Sequence, residues 1–201
     1  MSFELRIERL YAAIGASKHQ LASVHAGKID LIDGGFEVTQ DFSGGASRAQ
    51  LANELMQQII LLGGFPDHLR KRLTEIGKKC RKPEVEEFFK RDRRFCILYD
   101  LHNADKHGGR DSGGGWSHES PEIRNIRRIA LCKTRASGGS TAGIMFDLPT
   151  GKPRAIGDGE SVAATTGDIL DGNGNLIGEA HEFIETALAV CEAAVDYFGA
   201  R

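Results

Sequence analysis

Apolar residues return every three or four positions in five stretches of this chain, and in short alternating runs elsewhere. In the first stretch, about residues 3–25, Ile7, Leu10, Ile14, Leu21 and Val24 share one side, with charges between them. That spacing predicts an amphipathic helix, stopped at Gly27. Leu51, Leu55, Ile59 and Leu62 predict a second helix, which Ser47 can cap and Gly63-Gly64 end. A shorter, basic helix is expected over 67–79, and its Lys/Arg run reads as a solvated face rather than a binding surface. Pro83 suits a first helical turn, and Glu84, Glu86 and Glu87 suit the positive end of a helix. The helix they open is expected to run unbroken to His107 and stop at Gly108-Gly109. The last helix is expected from about Gly178. Its stripe includes Phe183, Leu188, Cys191 and Val195, which should face inward against the first helix and the 83–107 helix.

The segments between these helices read differently. Ile29 to Phe42 has the pattern of a hairpin turned at Asp33-Gly34-Gly35. Ile126, Ile129, Leu131, Ile144, Phe146, Ile156 and Val162 lie in short runs divided by Gly, Pro and Asp, which predicts a small antiparallel sheet. Asp171-Gly172-Asn173-Gly174 marks a tight turn within it. Residues 109–115 carry no apolar side chain and are expected to form an exposed loop. Trp116, the only tryptophan, and His118 flank that loop and either fold over the 102–107 helix end or anchor the first strand. The expected architecture is one α+β domain spanning 1–201. Its helical core covers about 3–107 and 178–199, with a β-rich insertion at about 121–172.

Composition narrows the class of function. The 201 residues carry 26 Lys and Arg against 28 Asp and Glu, a net charge of −2. This argues against a generally basic protein that coats nucleic acid, while a local basic patch is compatible with it. No stretch approaches the roughly 20 apolar residues of a membrane helix, and the charged N-terminus is not a secretory signal. A cytoplasmic protein with no membrane partner is therefore expected. Cys80, Cys96, Cys132 and Cys191 form no C-x-x-C pair, so zinc ribbons and thioredoxin-like chemistry have no support and reduced structural thiols are expected. The Gly-rich segments lack the Gly-Lys-Ser/Thr ending of a phosphate loop, and no Gly-x-Ser-x-Gly elbow occurs. No cofactor and no metal are expected.

One segment concentrates chemistry. On a continuous 83–107 helix, Val85, Phe88, Phe95, Cys96 and Tyr99 share a face, and Asp92, Asn103 and Lys106 continue it. Polar groups on an apolar face require buried partners or an opening to solvent, because burying them unpaired costs several kcal/mol. Asp100, His102, Asn103, Asp105, Lys106 and His107 crowd into eight residues. Asn103 and His107 stand one turn apart, as do His102 and Lys106. Histidine offers proton transfer near neutral pH, and lysine a fixed charge for phosphate. The plainer alternative is the solvated end of a helix, where His⁺ and Lys⁺ offset the dipole. His102 and His107 lie about 140° apart around the helix, so they cannot share a metal ion without a third element.

The segment Asp100-Leu-His-Asn-Ala-Asp-Lys-His107 has the form D-L-x-N-x-x-K-H. It resembles a helix end found in many bacterial proteins and is similar to the R-N-x-x-x-H signature of HEPN domains. The resemblance implies an HEPN-like helical bundle, commonly dimeric; with the strands read above, the expected fold is such a bundle with a small antiparallel β-sheet inserted before the C-terminal helix. It also implies a metal-independent endoribonuclease or RNA-processing factor, with RNA or a nucleotide as partner and a homodimer as the assembly. Within it His107 is the acid/base, Asn103 its orienter and Lys106 a phosphate contact, and Arg110 is a further substrate-binding candidate. His102 occupies the catalytic position at which the family carries arginine. The alternative is a non-catalytic module that binds a nucleotide, RNA or protein.

Overall fold

The computed structural model describes residues 28–32, 35–41, 43, 47–107, 115–135, 143–146, 153–156 and 158–201. The helix expected over 3–25 and most of the 109–115 loop, including Arg110, lie outside them. Among the described residues the order is β1 (Lys28–Ile32), β2 (Gly35–Asp41), α1 (Arg48–Gly63), α2 (Phe65–Glu75), α3 (Lys82–Phe89) and α4 (Arg93–His107). There follow β3 (Glu122–Arg135), β4 (Gly143–Phe146), β5 (Pro153–Ile156), β6 (Asp158–Leu170), β7 (Leu176–Glu179) and α5 (Ala180–Phe198). Mixed helix and antiparallel strand make this an α+β fold, with five strands between α4 and α5. The described residues divide into two compact units, one built from Glu54–Asn125 and Gly167–Arg201, the other from residues 28–53 and Ile126–Thr166.

In the second unit β1 and β2 pair antiparallel from Lys28↔Thr39 to Ile32↔Gly35, as the Asp-Gly turn signal requires. β2 pairs antiparallel with β3, from Gly35↔Arg135 to Asp41↔Ile129. The sheet order continues to β6, while β4 and β5 form a separate antiparallel pair. The sheet is thus not confined to the insertion, because the early hairpin is built into it. Ser47 caps α1 as expected. The Gln50 N–H donates to Ser47 Oγ at 3.2 Å, and the Ser47 N–H donates to Gln50 Oε1 at 2.9 Å.

The helical unit holds most of the buried side chains. The helix expected over 83–107 is two helices. Asp92 ends the continuity by capping α4, its Oδ1 accepting the Phe95 N–H at 2.8 Å. The intervening corner lets Phe89 stack against Phe95 with ring centroids 4.5 Å apart, and Phe65 meets the Phe89 edge at 6.3 Å. Asp92 therefore belongs to a helix start, not to a polar pocket on the apolar face. The first half of α4 is a central helix rather than an amphipathic one: Phe95, Cys96, Ile97, Leu98, Asp100 and Leu101 are all buried.

α5 packs along α4 and also touches α2 and α3. Phe183, Cys191 and Val195 face inward as expected, but Leu188 is only half-buried. It stands about 80° from the centre of the stripe set by Ala180, Ala187 and Cys191, so it falls at the edge. Gly178 belongs to β7 rather than to the helix. The Asp171 turn forms as read, with the carboxylate accepting from Asn173 and Asn175, the Asn175 donors first among those holding its pKa below the usual carboxylate range.

The basic segment after residue 67 is in part structural. Lys78 Nζ donates to the carbonyls of Phe198 at 2.9 Å and Gly199 at 2.7 Å, and Arg72 Nε to that of Ala200 at 3.3 Å. These are the orphan acceptors at the end of α5, where a cation is electrostatically favoured.

Candidate functional site at the end of helix α4

The end of α4 is positioned by two devices that hold it from opposite directions. The first is Asp100, a carboxylate only 5% exposed in a run of apolar neighbours. Its Oδ1 accepts the Trp116 N–H at 2.7 Å, and its Oδ2 accepts the Ser117 N–H at 2.7 Å and the Ser117 hydroxyl at 2.6 Å. Three donors satisfy a buried acceptor that would otherwise cost several kcal/mol. Gly115 makes the approach feasible. It adopts a φ of +62°, and any Cβ there would run into the Asp100 carboxylate. Gly115 is thus half-buried beneath Asp100 instead of belonging to a freely exposed loop.

The clamp sets the indole of Trp116 face to face with Tyr99, centroids 3.6 Å apart and planes 15° from parallel. Trp116 therefore folds over α4 about two turns before the helix end. Lys90 Nζ stands 5.3 Å from the indole centroid. Beyond Trp116, Glu119 receives a bidentate pair from Arg93 at 2.6 and 2.9 Å, and its carbonyl accepts the Gly172 N–H at 2.7 Å. The 115–120 segment is in this way tied to α4 at both ends.

The second device is the contact of His102 with Gly63. A Cβ at Gly63 would lie 2.5 Å from the His102 Cβ and 2.7 Å from its Cγ. The His102 ring is half-buried, and its Nδ1 is buried with no hydrogen-bond partner among the described residues. Burial lowers the pKa of His102, assisted by Lys106 and His107 and opposed by Asp105 and Asp67. Burial therefore favours the neutral imidazole.

The sign of the linked stability effect follows. Between the depressed folded pKa and the unfolded value of about 6.5 the unfolded chain binds more protons, so stability rises with pH there. Acidification from pH 7.5 is expected to destabilise the protein as pH falls below about 6.5, and His102→Gln to remove that component. Chemical denaturation at a series of pH values measures it. A wild-type profile superimposable on that of His102→Gln would contradict the assignment.

The remaining sequence-identified residues lie toward solvent. Asn103 is half-buried, and Lys106 and His107 are exposed. Asn103 and His107 are neighbours one turn apart on α4. Arg93 is held by Glu119, and Arg94 donates to the Thr186 hydroxyl at 2.9 Å and lies over the Phe183 ring. Both sit at the start of α4, about 20 Å of helix from His107, so neither replaces a local arginine. Arg110 lies outside the described residues. No group of three His, Cys, Asp or Glu side chains among the described residues could hold a metal ion. Burial pushes the Cys96 thiol up to about 11 and Cys191 well above its ordinary value, which suits packing rather than nucleophilic chemistry. No described helix is long and apolar enough to cross a membrane.

Sequence reasoning missed Asp100 and Gly115 as the residues that organise this region. Asp100 carried a signal: a charge enclosed by Leu98, Leu101 and Ile97 demands a partner. No protein-family model, curated protein or solved structure matches this chain.

Proposed function

We propose that the chain is an HEPN-like module that binds RNA through the end of α4 without cutting it. The observation that carries this reading is the state of His102. At the position where the resembling family has arginine, this chain has a half-buried imidazole pressed against Gly63, where burial favours the uncharged form. A transition-state phosphate needs a fixed cation at that point, and a neutral ring supplies none. Binding has fewer requirements. Lys106 can meet a phosphate as a point charge, and Asn103 can hydrogen-bond a phosphate, a ribose or a base edge.

A second reading, a metal-independent endoribonuclease, is favoured by one feature: His107 is exposed and adjacent to Asn103. In that reading His107 transfers the proton and Asn103 orients it. One experiment separates the two. Purified protein is incubated with a mixed RNA pool in EDTA, beside His107→Ala and His102→Arg. The binding reading expects retained but intact RNA in all three samples. Cleavage by wild type that leaves cyclic or 3′-phosphate ends and disappears in His107→Ala would establish the enzyme instead. The reading also includes a cytoplasmic homodimer, which sedimentation at micromolar concentration checks.

A further inference from the structure

The geometry points to Trp116 as the base-stacking subsite of this RNA surface, with Lys90 as its phosphate partner. The inference rests on the RNA-binding reading and adds to it where a nucleobase lies. Tyr99, Asn103 and Lys106 fall within about 60° of one another around α4 and so form one strip along the helix. Trp116 is stacked on the Tyr99 end of that strip. Aromatic planes beside cations are how proteins hold single-stranded nucleic acid, the bases stacking and the cations following the backbone.

The indole is prepared for this. One face is taken by Tyr99 at 3.6 Å, a separation that leaves no room for a third group. Lys90 Nζ stands over the ring at 5.3 Å from its centroid and is too far out to lie between the two stacked rings. Among the described residues that ammonium is otherwise held by an exposed ion pair with Glu87 at 3.1 Å, and such pairs contribute little. A base can displace it, and the ammonium then meets the phosphate of the same nucleotide. The backbone of Trp116 does not have to reorganise, because Asp100 fixes its N–H and both donors of Ser117. A platform fixed before binding loses little conformational freedom on binding.

Trp116 is the only tryptophan of the chain, so its emission reports on this subsite alone. The test titrates the full chain with a dye-labelled single-stranded RNA of about 12 nucleotides, a length that covers one such site. Dye anisotropy and indole emission are followed together. The expected result is quenching in step with the anisotropy rise. Trp116→Ala should weaken affinity roughly five- to a hundredfold, and Trp116→Phe should hold it within about threefold of wild type. Lys90→Gln, a surface change that leaves the core untouched, should reduce the slope of log affinity against log salt by about 0.7. Binding with unchanged indole emission, and equal affinity for Trp116→Ala, would overturn the subsite while leaving the RNA-binding reading intact. Absence of any anisotropy change with wild type would overturn both.

Discussion

Replacing Asp100 with alanine is expected to cost roughly 3–5 kcal/mol of stability, because two backbone N–H groups and a hydroxyl lose their acceptor in a buried setting. The wild-type carboxylate accepts from all three at 2.6–2.7 Å. Water can reach some of the released donors only if the 115–117 turn leaves α4, so the tertiary structure around Trp116 should loosen as well. Asp100→Asn keeps one acceptor oxygen and should lose less. Urea denaturation measures the energy, and the near-ultraviolet dichroism of the Trp116–Tyr99 stack measures the local release. A loss under about 1 kcal/mol with the stack intact would show that the carboxylate is not what holds the turn.

Gly63→Ala is the second large effect, and its sign opposes helix propensity. Alanine in a helix is ordinarily favoured over glycine by about 1 kcal/mol. At Gly63 the new methyl would meet the Cβ and ring of His102 at 2.5–2.9 Å. A Cβ is rooted in backbone and cannot swing away, so α1 and α4 must separate. Overpacking of this kind costs roughly 1–3 kcal/mol net. A double-mutant cycle with His102→Gly, which removes the opposing Cβ, should recover the Gly63→Ala loss. Additive losses would mean that the two positions do not press on each other.

The parts of the fold that were legible share a local cause. The Ser47–Gln50 cap, the β1–β2 pairing and the Asp171 turn are set by residues within a few positions, and each forms as read. Of the misreadings, one is tertiary in cause and one local. α4 is surrounded on several sides, so its buried run from Phe95 to Leu101 has no helical stripe to detect. Asp92 continued the expected apolar face, whereas locally it is a cap that breaks one long helix into two. At the candidate site, the polar end of α4 could be read because its residues are adjacent in sequence. The Asp100 clamp could not, since it joins positions 16 and 17 residues apart through a segment with no regular pattern. His102 looked equivalent to His107 on composition. The approach of Gly63, which is distant in sequence, presses on His102, which is half-buried while His107 is exposed.

The central claim is that RNA is held at the end of α4, and chemical-shift mapping of isotope-labelled protein titrated with single-stranded RNA tests it most directly. The expected perturbations centre on Tyr99, Asn103, Lys106, His107 and the Trp116 indole, with α2 unmoved because its Arg72, like Lys78 beyond its end, is engaged with the end of α5. Perturbations centred on α2, or no perturbation at saturating RNA, would contradict the account.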